Sequence, residues 1–249
     1  MIVYDHGHPV WRARYDRLHR TNGAFTYSQD ICKWHLPIWR GLLGPADSIA
    51  TCGKVPDATV QYLHERTHAD LSSKTKLFVT TYKDLAETLG SRGLWIPNAV
   101  DASALPAHRP ARGWVYYGNI IGDKRKSFDR LAGLNFDTVA GVKDQREALE
   151  RVAHYRYGIG VGRCALEMME IGLKVMIFGK DFGGLILSSA DFERQLGANF
   201  NANVMTGVAS VAEGIAHIDD ALGVSSTFQQ SLKQIEARIT NGWRRVSTA

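Results

Sequence analysis

Short runs of β-branched and aromatic residues alternate with amphipathic stretches along most of this 249-residue chain. Apolar strands separated by helices predict βαβ units, in which helices cover both faces of a mostly parallel sheet. Strands are predicted at Ile2–Tyr4, Ser48–Thr51, Leu77–Thr80, Leu94–Pro97, Trp114–Tyr117, Thr138–Val142 and Val175–Phe178, with weaker candidates at Tyr157–Ile159 and Asn203–Met205. Helices are predicted over residues 57–71, 82–90, 124–133, 144–153, 163–172, 189–197, 209–222 and 226–244. The expected fold class is α/β.

The segment DASALPAHRPARG, residues 101–113, separates two such sets of elements. Its two prolines, small residues and lack of apolar periodicity are typical of a linker. We therefore predict two Rossmann-like lobes, an N-terminal lobe over residues 1–104 and a C-terminal lobe over residues 105–225. A last helix, within residues 226–249, is expected to pack back across the lobes.

Composition excludes several classes of protein. Apolar residues make up 45% of the chain and charged residues 22%, which suits a folded core and not a disordered chain. No stretch of about 18 uncharged apolar residues occurs, so no membrane span is expected. The first residues lack the features of a secretory signal, and three scattered cysteines without a CxxC motif fit free thiols. The expected location is the cytoplasm, or the host cytoplasm if the chain is viral.

The N-terminal portion carries the basic excess. The net charge is +5, and residues 1–112 hold 14 basic side chains against 10 acidic ones. In WRARYDRLHR, residues 11–20, arginines interleave with aromatic residues, which suits a phosphate-bearing partner such as nucleic acid. A solvated, mildly basic helix face is the alternative. The candidate acceptor or nucleic-acid contacts are Trp11, Arg12, Arg14 and Arg17.

The most informative segment is YGIGVGRCALEMMEIGLKVMIFG, residues 157–179. Its glycines lead directly into a predicted helix, where backbone N–H groups and the helix dipole favour a phosphate. Arg163 in the first turn could add a bidentate phosphate contact, and Glu167 one turn later could accept both hydroxyls of a ribose. Neither GxGxxG nor GxxxxGK[ST] occurs, which disfavours an NAD enzyme and a P-loop NTPase. Tight turns for the glycines and a solvated helix position for Glu167 are the alternatives.

Four segments carry a resemblance to a known family. GVGRCALEMMEIGL, residues 160–173, resembles the nucleotide-sugar motif in the C-terminal lobe of GT-B fold glycosyltransferases. WVYYGNIIGDKRKSF, residues 114–128, resembles the opening strand and phosphate loop of that lobe. Residues 73–101 are similar to the end of the family's N-terminal lobe, and residues 182–203 to the loop and helix that follow the motif.

The resemblance implies transfer of a sugar from a nucleotide-sugar, usually a UDP-sugar, without a required metal or a tightly bound cofactor. Glu167 would bind the donor ribose. The glycine run and Arg163 would lie near the diphosphate, with Lys124 as a phosphate-binding lysine, and two further glycines near the sugar. The implied donor site consists of Gly118, Asn119, Lys124, Gly160, Gly162, Arg163, Glu167, Gly183 and Gly184.

Two positions depart from the family's pattern. Ile159 stands where the first acid of the paired-glutamate motif is expected, and Asn119 where the phosphate loop usually has an arginine. Both leave open whether the sugar's configuration is retained or inverted.

The predicted N-terminal lobe is roughly half the family's common size. Asp5 and His6 follow strand Ile2–Tyr4, and ligands bind outside the carboxyl ends of parallel strands. Either residue could be the base for an acceptor hydroxyl, although histidines there could also merely cap the strand. A second copy of the chain could cover so small a lobe, so a homodimer is an open alternative.

The acceptor is left open among several classes. Some bacteriophage GT-B enzymes glycosylate hydroxymethylated bases in DNA, and a basic acceptor lobe suits such a substrate. A saccharide or a lipid-linked acceptor is the alternative.

Two other classes of function stay open. One is a non-catalytic nucleic-acid-binding protein. The other is a zinc hydrolase, because HERTH matches H-E-x-x-H with His64 and His68 as ligands and Glu65 as base.

Overall fold

The computed structural model describes residues 2–4, 48–51, 60–63, 77–95, 97–98, 100, 105–120, 124–131, 133–202 and 204–222. They belong to two compact units that divide after position 99. The helix predicted over residues 226–244 lies outside the described residues. No helix of the described part of the chain is long and apolar enough to cross a membrane.

The described strands of the first unit form one parallel sheet, whose strand order follows the chain. They are β1 (Ile2–Tyr4), β2 (Ser48–Thr51), β3 (Val60–Leu63), β4 (Leu77–Thr80) and β5 (Gly93–Trp95). Helix α1 (Lys83–Thr88) and a 3-10 turn (Gly90–Arg92) connect β4 to β5. A Cβ at Gly93 would overlap the carbonyl oxygen of Ala86, so a glycine is needed where β5 passes α1.

The helix predicted over residues 57–71 is wrong where the structure describes it, because β3 occupies Val60–Leu63. A run as short as VQYL has no periodicity that separates a strand from a helix. Val60 pairs with Ile49 of β2 on one side and with Leu77 of β4 on the other. Pairing on both sides therefore decides the conformation of this segment.

The second unit contains a mixed five-stranded sheet with the order β7-β6-β8-β9-β10. The strands are β6 (Arg112–Tyr117), β7 (Phe136–Val139), β8 (Tyr155–Gly160), β9 (Lys174–Phe178) and β10 (Phe182–Leu185). The first four are parallel and β10 is antiparallel to β9. The α/β fold class is confirmed, with a sheet of the Rossmann-like kind. Strand β10 was not predicted. Asn203 of the predicted strand Asn203–Met205 lies outside the described residues, Val204 and Met205 are not in a strand, and a single bridge joins Gly184 to Thr206.

Helices of this unit begin near the predicted positions, but the one predicted over residues 209–222 is shorter and is followed by a 3-10 turn, Ile218–Asp220. They are α2 (Lys124–Ser127), which continues as a 3-10 turn, α3 (Gln145–Val152), α4 (Gly162–Ile171), α5 (Ser189–Gly197) and α6 (Val211–Ala216). Asp144 caps α3 by accepting from the N–H groups of Arg146 at 2.8 Å and Glu147 at 3.2 Å. Ser188 caps α5 in the same way, and Gly172 at φ +118° ends α4.

The core of the second unit lies on the central strands. Tyr116, Ile159, Met176 and Phe178 are each at most 1% exposed, and Leu131, Phe182 and Ile218 pack against them. This packing fixes the positions at which β6 and β8 end.

Candidate functional site at the carboxyl ends of β6 and β8

The strand order of the second unit reverses between β6 and β8. With β6 counted as the first strand, the order is 2-1-3-4-5, one of the two common doubly wound orders. Ligands of such sheets bind outside the carboxyl ends of the strands at this reversal. Tyr117 ends β6 and Gly160 ends β8, so the phosphate-loop segment and the glycine run meet at this edge.

Packing accounts for Gly160. A Cβ there would lie 2.8 Å from the carbonyl oxygen of Tyr117 and 2.9 Å from Cε of Met168. Gly158 is likewise confined by the Met168 side chain, which is fully buried. The absent side chains thus let α4 lie against β8, a need that exists without any ligand.

Gly162 is in a different situation. Its φ is +61°, and the nearest atom to a Cβ would be the carbonyl oxygen of Asn199, 3.8 Å away. Its N–H donates to the carbonyl oxygen of Phe200 at 2.9 Å, so this first donor of α4 is engaged within the protein. Asn199 and Phe200 both have positive φ, at 56° and 49°, and such strained non-glycine residues cluster at functional sites.

Glu167 is buried, with 1% of its side chain exposed, so it is not a solvated helix residue. Its Oε1 accepts a hydrogen bond of 2.6 Å from Nε2 of Gln145 and lies 3.2 Å from Nε of Arg163. Burial, aided by the charge of nearby Glu167, raises the pKa of Tyr117 far above its usual value. We call these four residues the Glu167 cluster.

Two of the residues predicted for a phosphate loop, Gly118 and Asn119, directly follow Tyr117 at the end of β6. Gly118 has φ +150° and donates to the carbonyl oxygen of Val139 at 3.3 Å. Asn119 is exposed, and its carbonyl oxygen accepts from the Tyr116 hydroxyl at 3.3 Å. Lys124 is the first residue of α2.

Gly183 and Gly184 are buried in β10. A Cβ at Gly183 would lie 2.8 Å from Cγ2 of Ile177 and 3.0 Å from Cα of Ala202. A Cβ at Gly184, whose φ is +87°, would overlap the carbonyl oxygen of Thr206. Packing therefore accounts for both glycines, and their position near a donor sugar stays a prediction.

The remaining predicted site residues lie outside the described residues. They are Asp5, His6, Trp11, Arg12, Arg14, Arg17, His64, Glu65 and His68. Within the described ranges, no group of three or more His, Cys, Asp and Glu side chains could hold a metal ion.

Gln145 and Tyr117 were not predicted as site residues. Both stand at element ends that the sequence does signal, since Asp144 and Glu147 mark the start of α3 and the glycine after Tyr117 marks the end of β6. Their meeting on Glu167 depends on the order of the strands, which no local signal gives.

Compared with models of known protein families the chain matches none, and a comparison with curated proteins finds no significant match.

Proposed function

We propose that the protein is a glycosyltransferase that binds a nucleotide-sugar, with a UDP-sugar as the leading donor, at the carboxyl ends of β6 and β8. The observation that carries the proposal is the buried Glu167 carboxylate, held by Arg163 and Gln145 at the reversal of strand order. A buried carboxylate at a ligand-binding edge is costly unless it serves function or structure.

The proposed roles follow from the chemistry of the donor. A ribose offers two neighbouring hydroxyl donors, and one carboxylate can accept from both, each as a charge-assisted hydrogen bond of about 1.5–3 kcal/mol. The diphosphate would lie near Gly162 and Arg163, at the N-terminal end of α4. In the transfer, the bond between the anomeric carbon and the diphosphate oxygen breaks, and Arg163 would stabilise the charge that develops on the leaving diphosphate.

The acceptor half of the proposal rests on the sequence of the N-terminal portion. Asp5 or His6 would take the proton of the acceptor hydroxyl as its oxygen bonds to the anomeric carbon. A hydroxymethylated base in DNA is the leading specific acceptor, with Trp11, Arg12, Arg14 and Arg17 as candidate contacts. A saccharide or a lipid-linked acceptor is the alternative. The arrangement of the two units as the lobes of a GT-B enzyme belongs to the same proposal.

A thermal-shift panel of UDP, GDP, ADP, NAD, zinc and a chelator tests the donor half. A ligand at 100 times its dissociation constant stabilises a protein by about 2.7 kcal/mol, which is a shift of a few degrees. We expect stabilisation by UDP or GDP that exceeds the effect of ADP and NAD. Destabilisation by the chelator without any nucleotide response would contradict the proposal and favour the zinc motif.

Binding of duplex DNA at about 50 and 200 mM salt tests the acceptor half. A DNA acceptor predicts a steep loss of affinity between these conditions and transfer of radiolabelled sugar to hydroxymethylated DNA. DNA binding without transfer from any nucleotide-sugar would favour a non-catalytic nucleic-acid-binding protein. Transfer to a saccharide, with no DNA binding, would favour the alternative acceptor class.

A further inference from the structure

The cation in the Glu167 cluster and its anion differ in their access to solvent. Nε of Arg163 lies 3.2 Å from Oε1 of Glu167, one helical turn away. The Arg163 side chain is 26% exposed, whereas that of Glu167 is 1% exposed. The pair therefore joins a buried carboxylate to a guanidinium that still reaches solvent.

Glu167 has neutral polar neighbours as well. Gln145 donates to Oε1 at 2.6 Å, and the Tyr117 hydroxyl is near enough for the Glu167 charge to raise its pKa. Asp144 fixes the backbone of the first turn of α3, where Gln145 stands. A buried carboxylate that loses its cation is strongly penalised, and the Gln145 donor with the neutral Tyr117 hydroxyl nearby reduces that penalty. Glu167 can thus remain in place when Arg163 turns away.

We propose that Arg163 exchanges partners, leaving Glu167 for the diphosphate of an incoming ligand while Gln145 and Tyr117 keep the carboxylate in position. This inference rests on the proposed function and deepens it, because it makes Arg163 a specificity residue. The exchange opens Oε1 of Glu167 to a ribose hydroxyl only when the ligand also brings an anion. It favours nucleoside diphosphates over free nucleosides.

Glu167 and the diphosphate compete for the Arg163 guanidinium. Removal of the Glu167 charge should therefore raise the affinity for pyrophosphate and lower the affinity for uridine. Glu167→Gln removes the competing charge at nearly constant volume, so inorganic pyrophosphate should bind roughly threefold more tightly, the size of a partly exposed ion-pair coupling. Uridine, which has the ribose alone, should bind more weakly to the same variant. Arg163→Gln should weaken pyrophosphate binding by about tenfold or more.

The experiment is isothermal titration of pyrophosphate and of uridine, at one salt concentration, into wild type and variants whose folding is verified by circular dichroism. Glu150→Gln is the matched control, because Glu150 is an exposed residue of α3 and its removal changes the net charge equally. Its effect on pyrophosphate should be smaller than that of Glu167→Gln. In a double variant that combines Glu167→Gln with Arg163→Gln, the gain in pyrophosphate affinity from Glu167→Gln should vanish, because Arg163 is absent.

The exchange is overturned if Glu167→Gln does not raise pyrophosphate affinity, or if it raises that affinity equally in a protein that lacks Arg163. Absence of pyrophosphate binding by both wild type and Glu167→Gln does so as well. If Glu167→Gln does not fold, Arg163→Gln decides: the exchange requires that pyrophosphate affinity falls while uridine affinity holds or rises, and a fall in both overturns it. If pyrophosphate and uridine affinities change in opposite directions but UDP does not bind, Arg163 exchanges partners for an anion and the proposed nucleotide-sugar function is refuted.

Discussion

Two glycine-rich regions of the second unit were both predicted to contact the donor, and they differ in how much room surrounds them. In β10, Gly183 and Gly184 are buried, and a Cβ at either would run into neighbouring backbone or side-chain atoms. At the start of α4, a Cβ at Gly162 would have one atom of the described residues within 4 Å, at 3.8 Å. Gly160, two residues earlier, belongs with the confined group.

The contrast teaches that a glycine run in a sequence mixes two requirements. Where a Cβ would strike the protein itself, the glycine serves packing, and no ligand is needed to explain it. Where a positive φ leaves open space beside the carboxyl ends of parallel strands, the glycine leaves room for a ligand. Gly162 has the geometry of this second kind and precedes Arg163 of the Glu167 cluster, which supports the proposed donor site.

The largest effect is expected from Gly184→Ala. Its Cβ would overlap the carbonyl oxygen of Thr206, and its φ of +87° disfavours any L side chain, so we expect a loss of about 3 kcal/mol in the free energy of unfolding. Gly133→Ala is the matched control, because Gly133 has φ +91° and no atom of the described part of the chain lies within 4 Å of a Cβ there. It should lose only about 1 kcal/mol.

Urea denaturation of both variants measures the difference. Equal losses would mean that β10 relaxes around the new methyl group, and the division into confined and open glycines would lose its clearest case.

The sequence predicts helices better than it predicts the sheet. The helix over residues 189–197 is confirmed at both ends, because Ser188 is a local cap and the apolar residues recur with helical period. Strand β10 was missed because FGGL offers neither alternation nor β-branched residues. Its place is set by pairing with β9, a contact that no local pattern encodes.

In the candidate site, too, the sequence predicts local relations and misses those set by strand order. The spacing of Arg163 and Glu167 by four residues predicts that they share a helix face, and the structure pairs them. The burial of Glu167 could not be predicted, because it depends on the end of β6 and the start of α3 both lying near this side chain. Gln145 is 22 residues away from Glu167 in sequence, and only the strand order brings the two together.

A smaller effect on stability is expected from Gly162→Ala, which tests the open class. Gly90→Ala in the first unit is the matched control, since Gly90 has φ +60° and, among the residues that the structure describes, none places an atom within 4 Å of a Cβ there. The free energy of unfolding of each variant should fall by about 1 kcal/mol, because the positive φ disfavours an alanine. Only Gly162→Ala should weaken UDP binding, because only Gly162 lies at the proposed donor site. An unchanged UDP affinity would place the donor elsewhere.

A pH-dependent effect on stability concerns Glu170, three residues after Glu167 on α4. Its Oε2 is buried without a hydrogen-bond partner among the described residues, and burial raises its pKa from 4.5 to about 7. The folded state therefore holds the proton more tightly than the unfolded state does. The stability that this group contributes is complete below pH 4.5 and is lost as the pH rises through 7.

Melting temperatures at pH 5 and pH 8 measure this effect. We expect Glu170→Gln to flatten the pH dependence of wild type, while Glu150→Gln, at an exposed position of α3, leaves it unchanged. If the melting temperature depends on pH equally in wild type and in Glu170→Gln, Glu170 is hydrated in solution.

Isothermal titration of UDP into wild type, Glu167→Gln and Glu150→Gln tests the central claim most directly. We predict that wild type binds UDP, that Glu167→Gln binds it at least about tenfold more weakly through the lost charge-assisted hydrogen bonds, and that Glu150→Gln differs by less than about twofold. Equal UDP affinity in a folded Glu167→Gln variant, or no UDP binding by wild type, would contradict it.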